Sequence, residues 1–273
     1  MLDVLRTLVH TNVFISLATV SVAITTIALI GLPFDPLPLF IVFAATMFVY
    51  SINRITDIEE DERNVPERAS FTKRYGRLWL TIGSVLYVGA IAAAVALGIP
   101  GAVYLLLPAA VAVGYSIGIK RVLLLKNCFV GFAWGVIPLG VGYYYGQLLS
   151  VEILFLAGYV GAMITIAAVV FDVKDIPGDR AEGISTVPNT LGPRRTRLLS
   201  GVATVAVAAV VVAFVASSVL PTRYLAVLAM NGYVLCYVPF ATPDRGPLFY
   251  GFVVDGEHVF LAAVVLALEW LVW

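Results

Sequence analysis

The chain has 273 residues, 61% of them apolar and only 12% Asp, Glu, Lys or Arg, with a mean hydropathy of +0.98. Soluble globular domains carry roughly 25% charged residues, and a chain of this size cannot hide so much apolar surface from water. A soluble enzyme, a disordered protein and a nucleic-acid binder are excluded, and a polytopic membrane protein remains.

A helix needs about 20 mostly apolar residues to cross the hydrocarbon. Nine such runs follow one another, at roughly 8–31, 37–56, 78–98, 101–119, 122–146, 151–171, 197–219, 222–241 and 249–272. The first is too long for a signal peptide and lacks a small-residue cleavage site, so it is expected to stay in the protein. It carries His10 and Asn12 near its start. The fifth contains Pro138, which predicts a kink tolerated inside a bundle. Tyr143, Tyr144 and Tyr145 at its end, with Trp270 and Trp273, read as an interfacial aromatic belt. Cys128 and Cys236 lie inside apolar runs with no CxxC spacing and read as small core residues. His258, about two turns inside the ninth run, is an ionisable group at membrane depth and a candidate pocket residue.

The 17 acidic and 17 basic residues cancel, but their distribution does not. With nine spans, 16 of the 17 basic residues fall in connections on one side and only Arg223 on the other. The positive-inside rule makes the basic side cytoplasmic, with the N-terminus inside and the C-terminus outside. Two connections on that side are long, about 57–77 and 172–196. Long loops in compact proteins are usually functional.

The first of these opens with Asn53, Asp57 and Asp61, spaced i, i+4 and i+8, which places them on one helix face. A solvated acidic helix end reads equally well, because Glu59, Glu60, Glu62 and Glu67 crowd the same stretch. The second opens with Asp172, Asp175 and Asp179, which share a face if Pro177-Gly178 does not break the helix. Each cluster closes the second helix of a four-span block, about 1–119 and 122–241, with a final helix at 249–273. This position suggests an internal duplication that sets the clusters face to face within a single transmembrane domain. Opposed carboxylates need cations, and hard oxygen ligands suit Mg²⁺, which completes its shell with water and phosphate. Lys120, Arg121, Arg68, Lys73 and Arg74 on the same side add the charges of a diphosphate site, and apolar helices suit a hydrocarbon tail.

The two clusters, in the second and sixth of nine spans, resemble the aspartate-rich motifs of the UbiA superfamily of intramembrane prenyltransferases. Tyr115-Ser116 followed by Lys120-Arg121 is similar to that family's tyrosine-plus-basic segment, and Gly178, Asp179, Gly183, Thr186 and Pro188 resemble the tail of its second motif. One departure stands out: many members have Asp directly after the first motif's Asn, where this chain has Arg54.

The resemblance implies an all-α bundle of nine transmembrane helices with active-site loops at the cytoplasmic end. It also implies Mg²⁺-dependent transfer of a prenyl group from a polyprenyl diphosphate to a hydrophobic acceptor, aromatic or lipid, within the bilayer. Asp57 and Asp61, assisted by Asn53, are carried over to one metal–diphosphate cluster, and Asp172, Asp175 and Asp179 to the other. Lys120, with Arg121, is carried over to the diphosphate; Arg68 and Lys73 join it as basic residues on the same side. Tyr115, with Asn12 and His258 as polar groups within the spans, is a candidate for an acceptor pocket. A quinone precursor, a glycerophosphate lipid, a carotenoid and a porphyrin all occur as acceptors among relatives. A divalent-cation transporter is the rival from another class, though its site belongs near the bilayer midplane. A terpene cyclase is the rival within the family.

Overall fold

The structure is a computed structural model, and it describes residues 2–110 and 124–273. It is a helical bundle. Seven helices are long and apolar enough to cross a membrane among the described residues. They are α2 (Val13–Ile30), α3 (Pro36–Thr56), α5 (Pro66–Ala96), α6 (Leu125–Tyr144), α7 (Val151–Phe171), α10 (Pro193–Ala216) and the last span, Phe249–Leu271.

Shorter pieces complete the chain: α1 (Leu2–His10), α4 (Ile58–Asn64), α8 (Ile176–Glu182), α9 (Val187–Leu191) and α11 (Leu228–Tyr237). The last span itself consists of a π-helical turn, Phe249–Val254, and then α12 (Glu257–Leu271).

These boundaries revise the nine runs. The first run is divided, because Asn12 takes a left-handed conformation (φ 61°) between α1 and α2, so the span begins at Val13. The 222–241 run is divided into a 3₁₀ turn (Thr222–Val227), α11 and a second 3₁₀ turn (Val238–Phe240), too irregular to count as one long helix. The run at 101–119 begins with a 3₁₀ turn, Ala102–Leu106, and its remainder lies largely outside the described residues.

α2 and α7 form the centre, with 67% and 61% of their apolar windows buried, against 17% for α10 and 22% for α5. Ala18, Val22 and Leu29 of α2 meet Leu156, Met163 and Val170 of α7, with Met230, Val234, Tyr250, Leu261 and Val265 completing the core. Outer helices turn much of their apolar surface to lipid, which solvates it as well as a protein core would. For that reason Cys128 and Cys236, expected inside, are exposed instead.

α6 and α7 pack through small residues. A Cβ at Gly135 would stand 2.8 Å from the Ala157 carbonyl oxygen, so the helices approach this closely only with glycine there. Pro138 is buried within α6, which runs unbroken from Leu125 to Tyr144. At the end of the bundle away from the motifs, Tyr144 donates to Asp35 Oδ2 (2.5 Å) and Tyr145 to the Pro33 carbonyl (2.7 Å). Arg223, also at that end, donates to the Ile30 carbonyl at 3.2 Å. There it satisfies a terminal carbonyl of α2, the favoured place for a cation.

Candidate functional site

The first motif straddles a junction between helices. α3 ends at Thr56 and α4 starts at Ile58, yet Asp57 N–H still donates to Asn53 O and Asp61 N–H to Asp57 O, each at 2.9 Å. The i→i+4 ladder thus carries through, and the three side chains keep one face. Asp61 is buried and receives both arms of Arg68, whose Nε donates to Oδ2 at 2.7 Å. Asp57 is half-buried.

The second motif follows the same logic. α7 is capped by Asp172, and a turn carries the chain through Asp175 into α8. Pro177 sits in the first turn of α8, where a missing N–H costs nothing. The condition set on Pro177-Gly178 is therefore met: Asp175 N–H donates to Asp172 O (3.1 Å) and Asp179 N–H to Asp175 O (2.9 Å).

All three carboxylates of this motif are buried. Asp172 accepts from Lys126 Nζ and Asn127 Nδ2, each at 2.9 Å. Asp175 accepts from Lys174 Nζ at 2.6 and 2.7 Å. Asp179 accepts from Thr186 Oγ1 at 2.9 Å. Burial holds the Asp179 carboxyl above its usual range. The Thr186 bond and Lys126 pull it back, while Asp172 and Asp175 push it further up.

The two motifs meet. α4 packs on α8, and a Cβ at Gly178 would lie 2.9 Å from Asn64 Cγ, so the two motif helices touch through that glycine. Beside them opens a cavity of about 280 Å³, lined by residues from each of α1 to α5, the end of α7 and the turn after it, and the 243–255 segment. Its charged wall consists of Arg54, Arg68, Lys174 and Arg245 against Glu67 and Asp255, with His10 beside them. Burial, then the Arg68 and Arg54 guanidiniums, hold the His10 imidazole below its ordinary 6.5.

The other sequence candidates fall in different places. Lys73 is exposed and pairs with Glu62 on the outer surface rather than facing the cavity. Asn12 is buried, donating to Ser51 Oγ at 3.4 Å and accepting from Arg54 Nε at 3.3 Å. His258 is buried in the bundle, stacked on Trp134 with ring centroids 5.3 Å apart, and does not line the cavity. Tyr115, Lys120 and Arg121 lie outside the described residues.

Sequence reasoning did not single out Lys126, Asn127, Lys174 or Asp255. Lys126-Asn127 had a signal, two polar residues opening an apolar run, and so did Asp255, an acid within one. Pairing them with the motifs required the packing.

Fold and site together describe a multi-pass helical membrane protein with two carboxylate-and-cation clusters joined at one end. The model of the UbiA prenyltransferase family matches residues 14–248, and the chain belongs to that family. Among solved structures it is similar to an apo UbiA homologue from Aeropyrum pernix K1, with 19% identity, 93% of this chain and 98% of that one covered, and a TM-score of 0.68. It is also similar to a structure concerned with digeranylgeranylglyceryl phosphate synthase in membranes, with 18% identity, 98% and 97% coverage and a TM-score of 0.61. At such identities these likenesses speak for the fold. No curated protein matches the chain.

Proposed function

We propose that this protein transfers a prenyl group from a polyprenyl diphosphate to a hydrophobic acceptor within the membrane, with Mg²⁺ as cofactor and its motif end facing the cytoplasm. The observation that carries this reading is the junction of the two aspartate motifs beside a cavity walled with basic residues. A transporter's ion site belongs near the midplane, whereas here the carboxylates stand at helix ends among lysines and arginines.

The residues fit a hard divalent cation. The donor set is all oxygen, and Asn53 Oδ1, one turn before Asp57, is buried with no hydrogen-bond partner among the described residues. Among the described residues no group of three acidic or imidazole side chains forms a ready metal cage. Mg²⁺ typically takes one or two carboxylates and leaves its other positions to water and substrate phosphate. Asp57 and Asp61 with Asn53 would hold it on one side, and Asp172, Asp175 and Asp179 on the other. When bound, it supplies Lewis-acid stabilisation of the negative charge that grows on the departing diphosphate.

The chain's own groups do the rest. Arg68, Lys174 and Lys126, now spread over Asp61, Asp175 and Asp172, are placed to turn toward phosphate oxygens and neutralise the same charge. The allylic C–O bond breaks with its electron pair leaving on diphosphate. The acceptor nucleophile bonds to the allylic carbon, and its proton is lost to water at the cavity mouth. Apolar helices keep water from capturing the cation first. A cyclase would break the same bond without an acceptor.

The test is incubation of membranes containing the protein with labelled geranylgeranyl diphosphate, Mg²⁺ and candidate acceptors. Asp57→Ala and Asp175→Ala should insert normally and lose prenyl transfer. Unchanged turnover in both variants overturns the assignment, and cyclised product without acceptor favours the cyclase.

A further inference from the structure

The last span does not run as one α-helix. Asp255 N–H donates to the Tyr250 carbonyl at 3.2 Å, an i→i−5 bond that closes the π-helical turn Phe249–Val254. The turn holds one residue more than an α-turn would, and each residue turns about 100° around a helix axis. The insertion therefore resets which face the following residues present. Such π-turns gather at functional sites. Tyr233 of α11 ties this one down by donating to the Val253 carbonyl at 2.8 Å. Next after the turn comes Asp255, on the wall of the cavity.

Two acids line that cavity among the described residues, Glu67 and Asp255. Glu67 is exposed in the first turn of α5. Asp255 is recessed. Its charge acts on Arg54, Lys174 and Arg68 on one side, and on Tyr50 and the buried Tyr237 and Glu257 on the other. It thus stands where the cavity meets the bundle core. None of the three cations holds it: Arg68 is committed to Asp61, Lys174 to both oxygens of Asp175, and Arg54 Nε to Asn12 Oδ1. Among the described residues no ion pair within 4 Å engages the Asp255 carboxylate. An acid inside a span is costly and marks function, and one with its oxygens open to the cavity is placed to accept a proton.

Resting on the prenyl-transfer reading, we infer that Asp255 is the general base that takes the acceptor's hydroxyl proton as the acceptor bonds to the allylic carbon. The donor's diphosphate belongs to the motifs at the helix ends. An acceptor attacking from the side away from that leaving group comes from the core, where Asp255 stands. A lone pair of the hydroxyl oxygen forms the new bond, and the O–H bond breaks with its pair staying on oxygen and its proton passing to Asp255. The allylic C–O bond breaks with its pair leaving on diphosphate. A phenol can pass the same charge to a ring carbon, which makes the bond and then sheds its own proton to restore the hydroxyl. Asp255 returns its proton to water at the cavity mouth.

The experiment uses the full chain in liposomes with labelled geranylgeranyl diphosphate and Mg²⁺. The acceptors are a long-chain glyceryl ether phosphate and a hydroxybenzoate, each alongside an analogue fluorinated beside its hydroxyl and so more acidic there. Diphosphate release is read together with the ratio of prenylated acceptor to prenyl alcohol, the product of capture by water. Wild type should gain no more than about threefold from fluorination, because Asp255 already removes the proton. Asp255→Asn, alike in size, should lower the ratio about a hundredfold or more, within the range general bases contribute, with the donor KM within about twofold. The fluorinated acceptor should recover about tenfold of that loss, and Asp255→Glu should keep part of the transfer.

A hundredfold gain from fluorination in wild type, which involves no variant, overturns the inference by showing that no group of the protein takes the proton. An unchanged product ratio in Asp255→Asn overturns it too. So does a loss of diphosphate release with a raised donor KM, which assigns Asp255 to the donor. If wild type makes no prenylated acceptor, the prenyl-transfer reading fails and this inference fails with it.

Discussion

Lys126→Met tests the charge balance on which the second motif depends. Lys126 Nζ stands 2.9 Å from Asp172 Oδ1, with 23% of the lysine side chain exposed and 3% of the aspartate. At that separation and an effective dielectric near 20 the gross attraction is about 6 kcal/mol, much of it offset by desolvation. Removing one partner of a fully buried pair costs about 3–5 kcal/mol, because the remaining charge is uncompensated. Partial exposure of Lys126 and the remaining Asn127 bond (2.9 Å) lower this to about 2–3 kcal/mol. At about 2–4 °C per kcal/mol for a chain of this size, thermal unfolding in detergent should fall by about 5–10 °C. Adding Asp172→Asn removes the stranded charge, so the double variant should recover most of the loss while remaining inactive in prenyl transfer. A Lys126→Met protein as stable as wild type, or a double variant no better than the single one, would refute the account of Asp172 as a carboxylate held by its cation.

Two further outcomes follow from the packing at the other end and between α6 and α7. Gly135→Ala pushes a methyl against the Ala157 carbonyl, where backbone and not a flexible side chain must yield, and should lose about 1–3 kcal/mol in thermal unfolding; Gly140→Ala, with open space around its Cβ, should stay within about 0.5 kcal/mol. The Tyr144 hydroxyl, and after it the Leu37 N–H, hold the Asp35 carboxyl below its ordinary 3.8. A depressed carboxylate pKa contributes stability above the unfolded value that is lost as pH falls through the folded one. Tyr144→Phe should therefore lower the unfolding temperature at neutral pH, and the gap from wild type should close as pH drops below 3.8; a gap independent of pH would argue against the bond.

Much of this protein was legible in its residues. Bilayer thickness fixes how long an apolar run must be, so the spans at 36–56, 125–144 and 151–171 fall within a few residues of the predicted runs. Helical periodicity placed Asn53, Asp57 and Asp61 on one face, and the ladder through Asp57 preserves it. Both regularities act within a single segment, where one dimension of sequence suffices.

Other features depend on contacts between segments distant in sequence. Asn12 breaks the first run, a left-handed residue whose side chain meets Ser51 and Arg54 some forty positions away. Lys126 and Asn127 belong to the site because α6 lies against α7, and a charge count places them only on a side of the membrane. Hydropathy likewise treats 222–241 as one span, while its packing resolves it into 3₁₀ and α pieces. That acids and bases collect at one end of an apolar bundle could be read from the residues alone, because a charge in hydrocarbon is costly. Which cation answers which carboxylate came from the packing, because pairing energies act over a few ångströms between helices whose neighbours the chain order does not specify.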